Sequence, residues 1–268
     1  MLNKLEEMFS LVRKTLLEEN SQILESVEKN PKGEMTYRFD LRAEEIVIDF
    51  CKEQFDFPVR ILSEESGEIL TKEGTPKYTF VLDPVDGSTN FKRGLEISSF
   101  SIAVIPAEKA LAVQNVEFGL VGNLFTGSVC KAEKGNGCYF KGVKTSTSNQ
   151  EYVEKAIIAL DTDSPKKENK KRYFRLLETV SAIRRFGSGV AELTAVATGA
   201  LDAHVDIRDE LTPENFMAAY LLVKEAGGIF TDWKGKKLPE IKSMTERFNI
   251  VVSGNRELHE KILGLIDY

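Results

Sequence analysis

The 268-residue chain is poor in the side chains that most often do covalent or metal chemistry: two histidines, His204 and His259, and three cysteines, Cys51, Cys130 and Cys138. Two histidines far apart in sequence argue against a histidine-rich zinc site and leave little for a Ser-His-Asp triad. The cysteines form no C-x-x-C pair and no disulfide framework, which fits a reducing cytoplasm. Basic excess is also missing. With 36 Lys+Arg against 42 Asp+Glu, a net charge of −6 and a pI near 5.3, the chain lacks the electrostatic footprint of a nucleic-acid binder. No stretch reaches the roughly 18 apolar residues needed to span a bilayer. The opening segment mixes acids and lysines throughout, so no secretory signal is expected. No repeat or low-complexity linker interrupts the chain. Chemistry is left to carboxylates, hydroxyls and a hard metal, and an acidic protein that handles anions must offset its own field with cations.

What is present is an ordinary globular composition, 42% apolar and 29% charged. The chain is long enough for a large core without staples, as one large domain or two fused layers. Apolar periodicity predicts helices over 2–28 and about 40–55, separated by a breaker-rich loop over 29–40 that contains Pro31 and Gly33. A short strand running into a turn is expected at 59–66, a strand ending abruptly in acids, glycine and proline at 77–91, and strands at 97–106 and 110–117, followed by a meander of short strands over 119–148. The second half alternates: strand 156–162, helix 166–181, strand 183–188, helix 190–199, strand 201–207, helix 212–228, strand 248–255 and a helix from about 256. The expected class is α/β with an α+β layered build: a largely antiparallel N-terminal sheet, then a smaller mixed C-terminal sheet flanked by helices. Residues 1–150 would form the first half and 151–268 the second.

Three acidic clusters stand at strand ends or loop edges. Ser63-Glu64-Glu65-Ser66 alone reads better as a solvated turn, but its position right after the apolar run 59–62 singles it out. Thr212-Pro213-Glu214-Asn215 opens an apolar helix, and an N-cap followed by proline explains it locally. Asp83-Pro84-Val85-Asp86-Gly87-Ser88-Thr89-Asn90-Phe91 is the specific one. A buried-looking strand delivers two carboxylates into a tight turn, constrained by Pro84 and by the freedom of Gly87. Such a turn can aim both carboxylates and the Val85 carbonyl at one point, as hard cations require. Amides and hydroxyls of Gly87, Ser88 and Thr89 then offer an anion site if a helix starts there. As a bland turn, two acids ending a buried strand would carry a repulsion and desolvation cost.

Glu64-Glu65, DPVDGSTNF and a helix ending in EAGG resemble the inositol monophosphatase family, closest to the archaeal and bacterial branch that includes fructose-1,6-bisphosphatases. Gly135-Asn136-Gly137, Arg185-Phe186-Gly187-Ser188 with Glu192-Leu193, and Gly199-Ala200-Leu201-Asp202-Ala203 support the resemblance, which covers almost the whole chain. It implies a sugar-phosphatase fold of alternating αβαβα layers and a Mg²⁺-dependent phosphomonoesterase acting on a sugar or polyol phosphate, with two or three ions per site and Mn²⁺ as a substitute. It implies that Glu64, Asp83 and the Val85 carbonyl hold one ion and Asp83 with Asp86 a second. Ser88 and Asp40 would orient the attacking water, with Glu64 also counted among the catalytic groups. Amides of Gly87, Ser88 and Thr89 would hold phosphate, and Arg185, Gly187, Ser188 and Arg208 would lie near the alcohol. A homodimer acting on a small molecule, with no nucleic acid or membrane as partner, completes the expectation.

One position departs from the family pattern. Counting back ten residues from Glu225 of EAGG reaches Asn215, where the family carries a metal-ligand Asp. An amide oxygen still coordinates but brings no charge, so affinity for the second ion should fall. Asn215 motivates one alternative, a low-activity or non-catalytic relative that binds metal and phosphate ligands; a further alternative, a 3′-phosphonucleotide phosphatase, shares the metal core but would want a base-stacking pocket.

Overall fold

The structure is a computed structural model that describes residues 1–19, 21–29, 35–163 and 167–266. Pro31, Gly33 and Lys166 of the sequence expectations lie outside these residues. In chain order the elements are α1 (Leu2–Glu18), β1 (Ser26–Lys29), β2 (Met35–Tyr37), α2 (Arg38–Gln54), β3 (Val59–Ser63), β4 (Gly67–Leu70), β5 (Tyr78–Asp86), α3 (Ser88–Arg93) and β6 (Ser99–Pro106). They continue with β7 (Phe118–Asn123), β8 (Val129–Glu133), β9 (Gly137–Phe140), β10 (Val143–Lys144), β11 (Ile157–Leu160), α4 (Lys167–Thr179), β12 (Ala182–Arg184) and α5 (Gly189–Ala197). The last are β13 (Ala203–Leu211), α6 (Met217–Glu225), β14 (Ile229–Asp232), β15 (Phe248–Ser253) and α7 (Arg256–Ile266).

The strands form an eight-stranded sheet in the order β10-β9-β8-β7-β6-β5-β3-β4 and a five-stranded sheet in the order β12-β11-β13-β15-β14, besides the β1-β2 hairpin. In the larger sheet only the β3–β5 pair is parallel. The smaller one is mixed: β11 runs parallel to β12 and β13, while β15 is antiparallel to β13 and β14. The period-2 alternation of strands sorts the core into layers. Phe80, Leu82, Ile102 and Val104 face α1 and α2, where Leu5, Phe9, Val12, Phe39 and Val47 are buried. Their neighbours Val81, Ala103 and Ile105 face α5 and α6 on the other side, together with Ala159, Ile250 and Val252 of the smaller sheet. The far face of that sheet, Ile158, Ala203, Val205 and Val251, packs on Tyr173, Leu176, Leu258 and Ile262 of α4 and α7. The result is five layers in the order αβαβα, as expected. At Gly122 a Cβ would stand 2.5 Å from the Phe9 ring, so glycine is what lets α1 lie flat on β7.

Four expectations are corrected. The first helix ends at Glu18, not at 28: Glu19 is extended, and the chain doubles back, pairing Arg42 Nε with Glu19 at 3.0 Å. Part of the expected loop 29–40 is the β1-β2 hairpin. Residues 110–117 form no strand; their core is a 3₁₀ turn at Val113–Asn115 closed by Val116 N–H to the Val113 carbonyl at 3.3 Å. The helix expected over 212–228 is broken. A 3₁₀ turn at Pro213–Asn215 precedes α6, and Phe216 between them leaves helical geometry with φ −142°. Burying the Phe216 ring against Phe248 and Phe230 accounts for the kink.

Candidate active site

The site forms where β5 ends. Asp83 and Asp86 both lie in β5, and the register with β6 slips between them, so the ladder opens at that point. Val85 N–H donates to Asp83 Oδ1 at 3.1 Å, which folds the first carboxylate back over the turn. Gly87 at φ +85° then reverses the chain into the short helix α3. Its Cβ position would fall 3.1 Å from the Gly187 carbonyl, so any side chain there would collide with the facing loop besides being strained.

Beside this turn, α2 supplies Asp40. Its Oδ2 accepts from Tyr37 N–H at 2.8 Å, and its Oδ1 accepts from the Ser88 hydroxyl at 3.1 Å. Ser88 also reaches the Val85 carbonyl at 2.9 Å. Asp40 is 1% exposed, and burial, aided by the charge of Glu65, pushes its pKa up to about 8. From the parallel neighbour β3, Glu64 and Glu65 enter the same region, with Thr36 Oγ donating to Glu65 at 2.5 Å.

The second sheet closes the site. Asp86 accepts from the Ser188 hydroxyl and, at 3.0 Å, from Val190 N–H at the start of α5. Burial raises its pKa to about 7 against those two hydrogen bonds. Asn90 Nδ2 donates to the Phe186 carbonyl at 2.6 Å, tying α3 to the 185–188 loop. Arg185 pairs with Asp161 at 3.1 Å and with Asp163. Arg208 grips Asp206 through Nε at 3.0 Å and Nη2 at 2.6 Å. Asn215 uses both ends of its amide: Oδ1 accepts from Thr212 N–H at 3.2 Å, and Nδ2 donates to Asp83 Oδ2 at 3.1 Å.

All the residues predicted for metal or substrate therefore line one cavity of about 490 Å³: Glu64, Asp83, Val85 and Asp86, then Gly87, Ser88 and Thr89, and opposite them Arg185, Gly187, Ser188, Arg208 and Asn215. Asp40 stands behind Ser88. Three details differ from the expectations. The Ser188 hydroxyl is turned to Asp86 rather than to the open cavity. Asn215 shows Asp83 its NH₂, not its oxygen. Glu64, Asp83 and Asp86 do not draw their carboxylates within 4.8 Å of one another; among the described residues the group of ligand-type atoms that does so is Asp161, Glu192 and His204. His204 is buried against Glu192. Sequence reasoning gave Glu65 no role and missed Asp161 and Asp163, which line the same cavity. The signal for Asp161 was available, since it ends an apolar strand much as Asp83 does.

The donors suit a hard cation. The cavity beside the turn is lined by carboxylate and hydroxyl side chains and by Val85, with neither thiol nor imidazole, a set that suits a hard cation. Raised pKa values at Asp40 and Asp86 mark more buried acid than the pocket neutralises by itself, and a cation relieves that.

The model of the inositol monophosphatase family matches residues 2–267. The fructose-1,6-bisphosphatase/inositol-1-monophosphatase of Methanothermobacter thermautotrophicus is 32% identical over 248 residues, covering 91% of this chain and 87% of that protein. Nus factor SuhB of Escherichia coli is 32% identical over 228 residues, covering 82% and 80%. The crystal structure of an inositol monophosphatase–fructose 1,6-bisphosphatase superposes with a TM-score of 0.84 at 29% identity, over 98% of both chains. With its five layers, its acidic turn and a match over nearly its full length, the chain belongs to the inositol monophosphatase family.

Proposed function

We propose that the protein is a Mg²⁺-dependent phosphomonoesterase that hydrolyses a small sugar or polyol phosphate, with inositol-1-phosphate and fructose-1,6-bisphosphate as the leading substrates. The observation that carries this reading is the meeting, in one cavity, of acidic and hydroxyl side chains and the Gly87–Thr89 turn, with Arg185, Arg208 and Arg247 also in the lining. Glu64, Asp83, the Val85 carbonyl and Asp86 would hold the ions, two or three per site, with Mn²⁺ as a substitute. Bound Mg²⁺ supplies a water acidified toward neutral pH and charge neutralisation at the phosphoryl oxygens. The chain's own part is positional. The Ser88 hydroxyl, held between Asp40 and the Val85 carbonyl, has lone pairs free to orient a water proton. Amides of Gly87, Ser88 and Thr89 receive phosphate oxygens. Arg185 and Arg208, each braced by an acid, present N–H donors to the alcohol beside Gly187 and Ser188. In this reading residues 1–150 bring the phosphate turn and 151–268 the alcohol side, and the enzyme is a cytoplasmic homodimer whose partner is a small molecule. Among the described residues no helix is long and apolar enough to cross a membrane.

Phosphate release over a panel of sugar phosphates tests the proposal. Turnover is expected with Mg²⁺, lost on chelation and restored by Mg²⁺ or Mn²⁺; no turnover on any ester at saturating Mg²⁺ overturns it.

The amide of Asn215 on Asp83 favours a second reading, a low-activity relative that binds metal and phosphate ligands. A large rate gain in Asn215→Asp supports it, and an active unsubstituted chain that gains nothing dismisses it. A 3′-phosphonucleotide substrate has less support, since among the described residues Tyr37 is the only aromatic that lines the cavity.

A further inference from the structure

Behind the cavity, on the side of β13 that faces α5, three ionisable side chains are shut away from solvent: His204 and Glu192 are 0% exposed and Asp161 4%. His204 Nδ1 lies 3.2 Å from Glu192 Oε2, an ion pair without an aligned hydrogen bond. The other oxygen, Oε1, accepts from Phe186 N–H at 2.5 Å and from Gly187 N–H at 3.3 Å. Asp161 takes Arg185 Nε at 3.1 Å and Arg208 Nη2 at 3.5 Å. Both ends of the cluster thus reach groups that line the cavity.

The ligand-type atoms of Asp161, Glu192 and His204 lie within 4.8 Å of one another, a spacing that also suits a cation. The cluster already has cations of its own: Arg185 and Arg208 serve Asp161, Asp163 and Asp206, and His204 faces Glu192. Burial opposes charging of both members of the pair, yet mutual attraction outweighs it: Glu192 is held below the usual carboxylate range and His204 above the usual imidazole value. Removing one member of such a pair leaves the other charged and unpaired in the core.

We propose that Glu192, held by His204, is a positioning residue of this site: its carboxylate fixes the Phe186 and Gly187 amides and so sets where the 185–188 loop presents Arg185 to the alcohol part of the substrate. The proposal rests on the phosphatase reading. It assigns Glu192 no contact with phosphate or metal. Its loss should therefore be felt by a substrate with a polyol and not by a minimal ester.

The test compares Glu192→Leu, Glu192→Gln and His204→Gln with the unsubstituted chain on inositol-1-phosphate and on 4-nitrophenyl phosphate, with Mg²⁺. For Glu192→Leu, KM for inositol-1-phosphate should rise about tenfold while kcat, and both constants for 4-nitrophenyl phosphate, stay within about twofold. Glu192→Gln keeps an oxygen for the two N–H groups and should recover most of the loss. Amide exchange at residues 186 and 187 reads the loop without turnover; it should quicken in Glu192→Leu and stay near the unsubstituted rate in Glu192→Gln. Equal loss on both esters, or unchanged exchange in a folded Glu192→Leu, overturns the proposal. If Glu192→Leu does not fold, His204→Gln takes its place in the exchange measurement: quickened exchange supports the proposal and unchanged exchange overturns it. A stoichiometric metal bound by the unsubstituted chain and lost in His204→Gln also overturns it, in favour of a cation site. If the unsubstituted chain turns over neither ester, the phosphatase reading fails, and the exchange rates still decide the positioning role.

Discussion

Exchanging Asn215 for aspartate should make the protein less stable without Mg²⁺ and more responsive to it. In the native chain the Asn215 NH₂ lies 3.1 Å from Asp83 Oδ2 and gives that buried carboxylate a donor. In Asn215→Asp the donor disappears and a second carboxylate faces the first. At an effective dielectric constant near 20, two like charges about 4 Å apart repel by about 4 kcal/mol. Rotation of one carboxylate, or protonation of one at a raised pKa, would cut this to ~2 kcal/mol. The capping bond to Thr212 N–H survives, because an aspartate oxygen accepts it equally well. Mg²⁺ removes the repulsion and gains a charged ligand, and a ligand at 100 times its Kd adds about 2.7 kcal/mol of stability. Melting curves of both proteins across a Mg²⁺ titration measure this. The variant should melt lower in chelator and show the larger Mg²⁺-induced rise in Tm. Parallel curves, or a variant more stable in chelator, would refute the reasoning.

Ser88→Ala removes the hydroxyl shared by Asp40 and the Val85 carbonyl, and steady-state kinetics should show kcat down by about 10²-fold with KM little changed. His259 is 4% exposed between Ser253 and Thr231, and burial lowers its pKa to about 4. Because the folded value lies below the unfolded one, its contribution is full above about pH 6.5 and is lost as pH falls toward 4; at pH 5 the loss is about 2 kcal/mol. Urea melts at pH 7 and pH 5 should show that drop in the native chain and a smaller one in His259→Gln; equal drops would count against it. Gly122→Ala drives a methyl into the Phe9 ring and should cost about 2 kcal/mol by overpacking, read as a lowered urea midpoint with an unchanged m-value.

The layers were legible because their strands obey a strict rule. In β5 and β6 every second residue serves a different core, so these segments read as strands buried on both faces. The acidic turn was legible for a related reason, since carboxylates ending such a run have no structural role to explain them. What escaped was set by tertiary contact. The break at Phe216 comes from a ring that finds Phe248 and Phe230, both distant in sequence. The alternating apolar residues of 110–117 look like a strand but have no ladder to join, and Ile241 N–H takes the Leu111 carbonyl instead. The family resemblance implies that Ser188 lies near the alcohol, but it cannot reveal that Asp86, far away in the chain, claims its hydroxyl. The two tethers of the Asn215 amide likewise depend on which oxygen of Asp83 comes near.

The acids of the turn ride on the eight-stranded sheet, while Arg208, Asp161 and the 185–188 loop ride on the five-stranded one or its connections. The helices α5 and α6 are the bearing between these two plates. Their fit is close: a Cβ at Gly119 would meet the Ala218 carbonyl at 2.8 Å. Sliding one plate by an ångström would misalign the acids against the guanidinium groups without touching either. A methyl added at Gly119, which does not line the cavity, would therefore disturb how the acids and the guanidinium groups face each other.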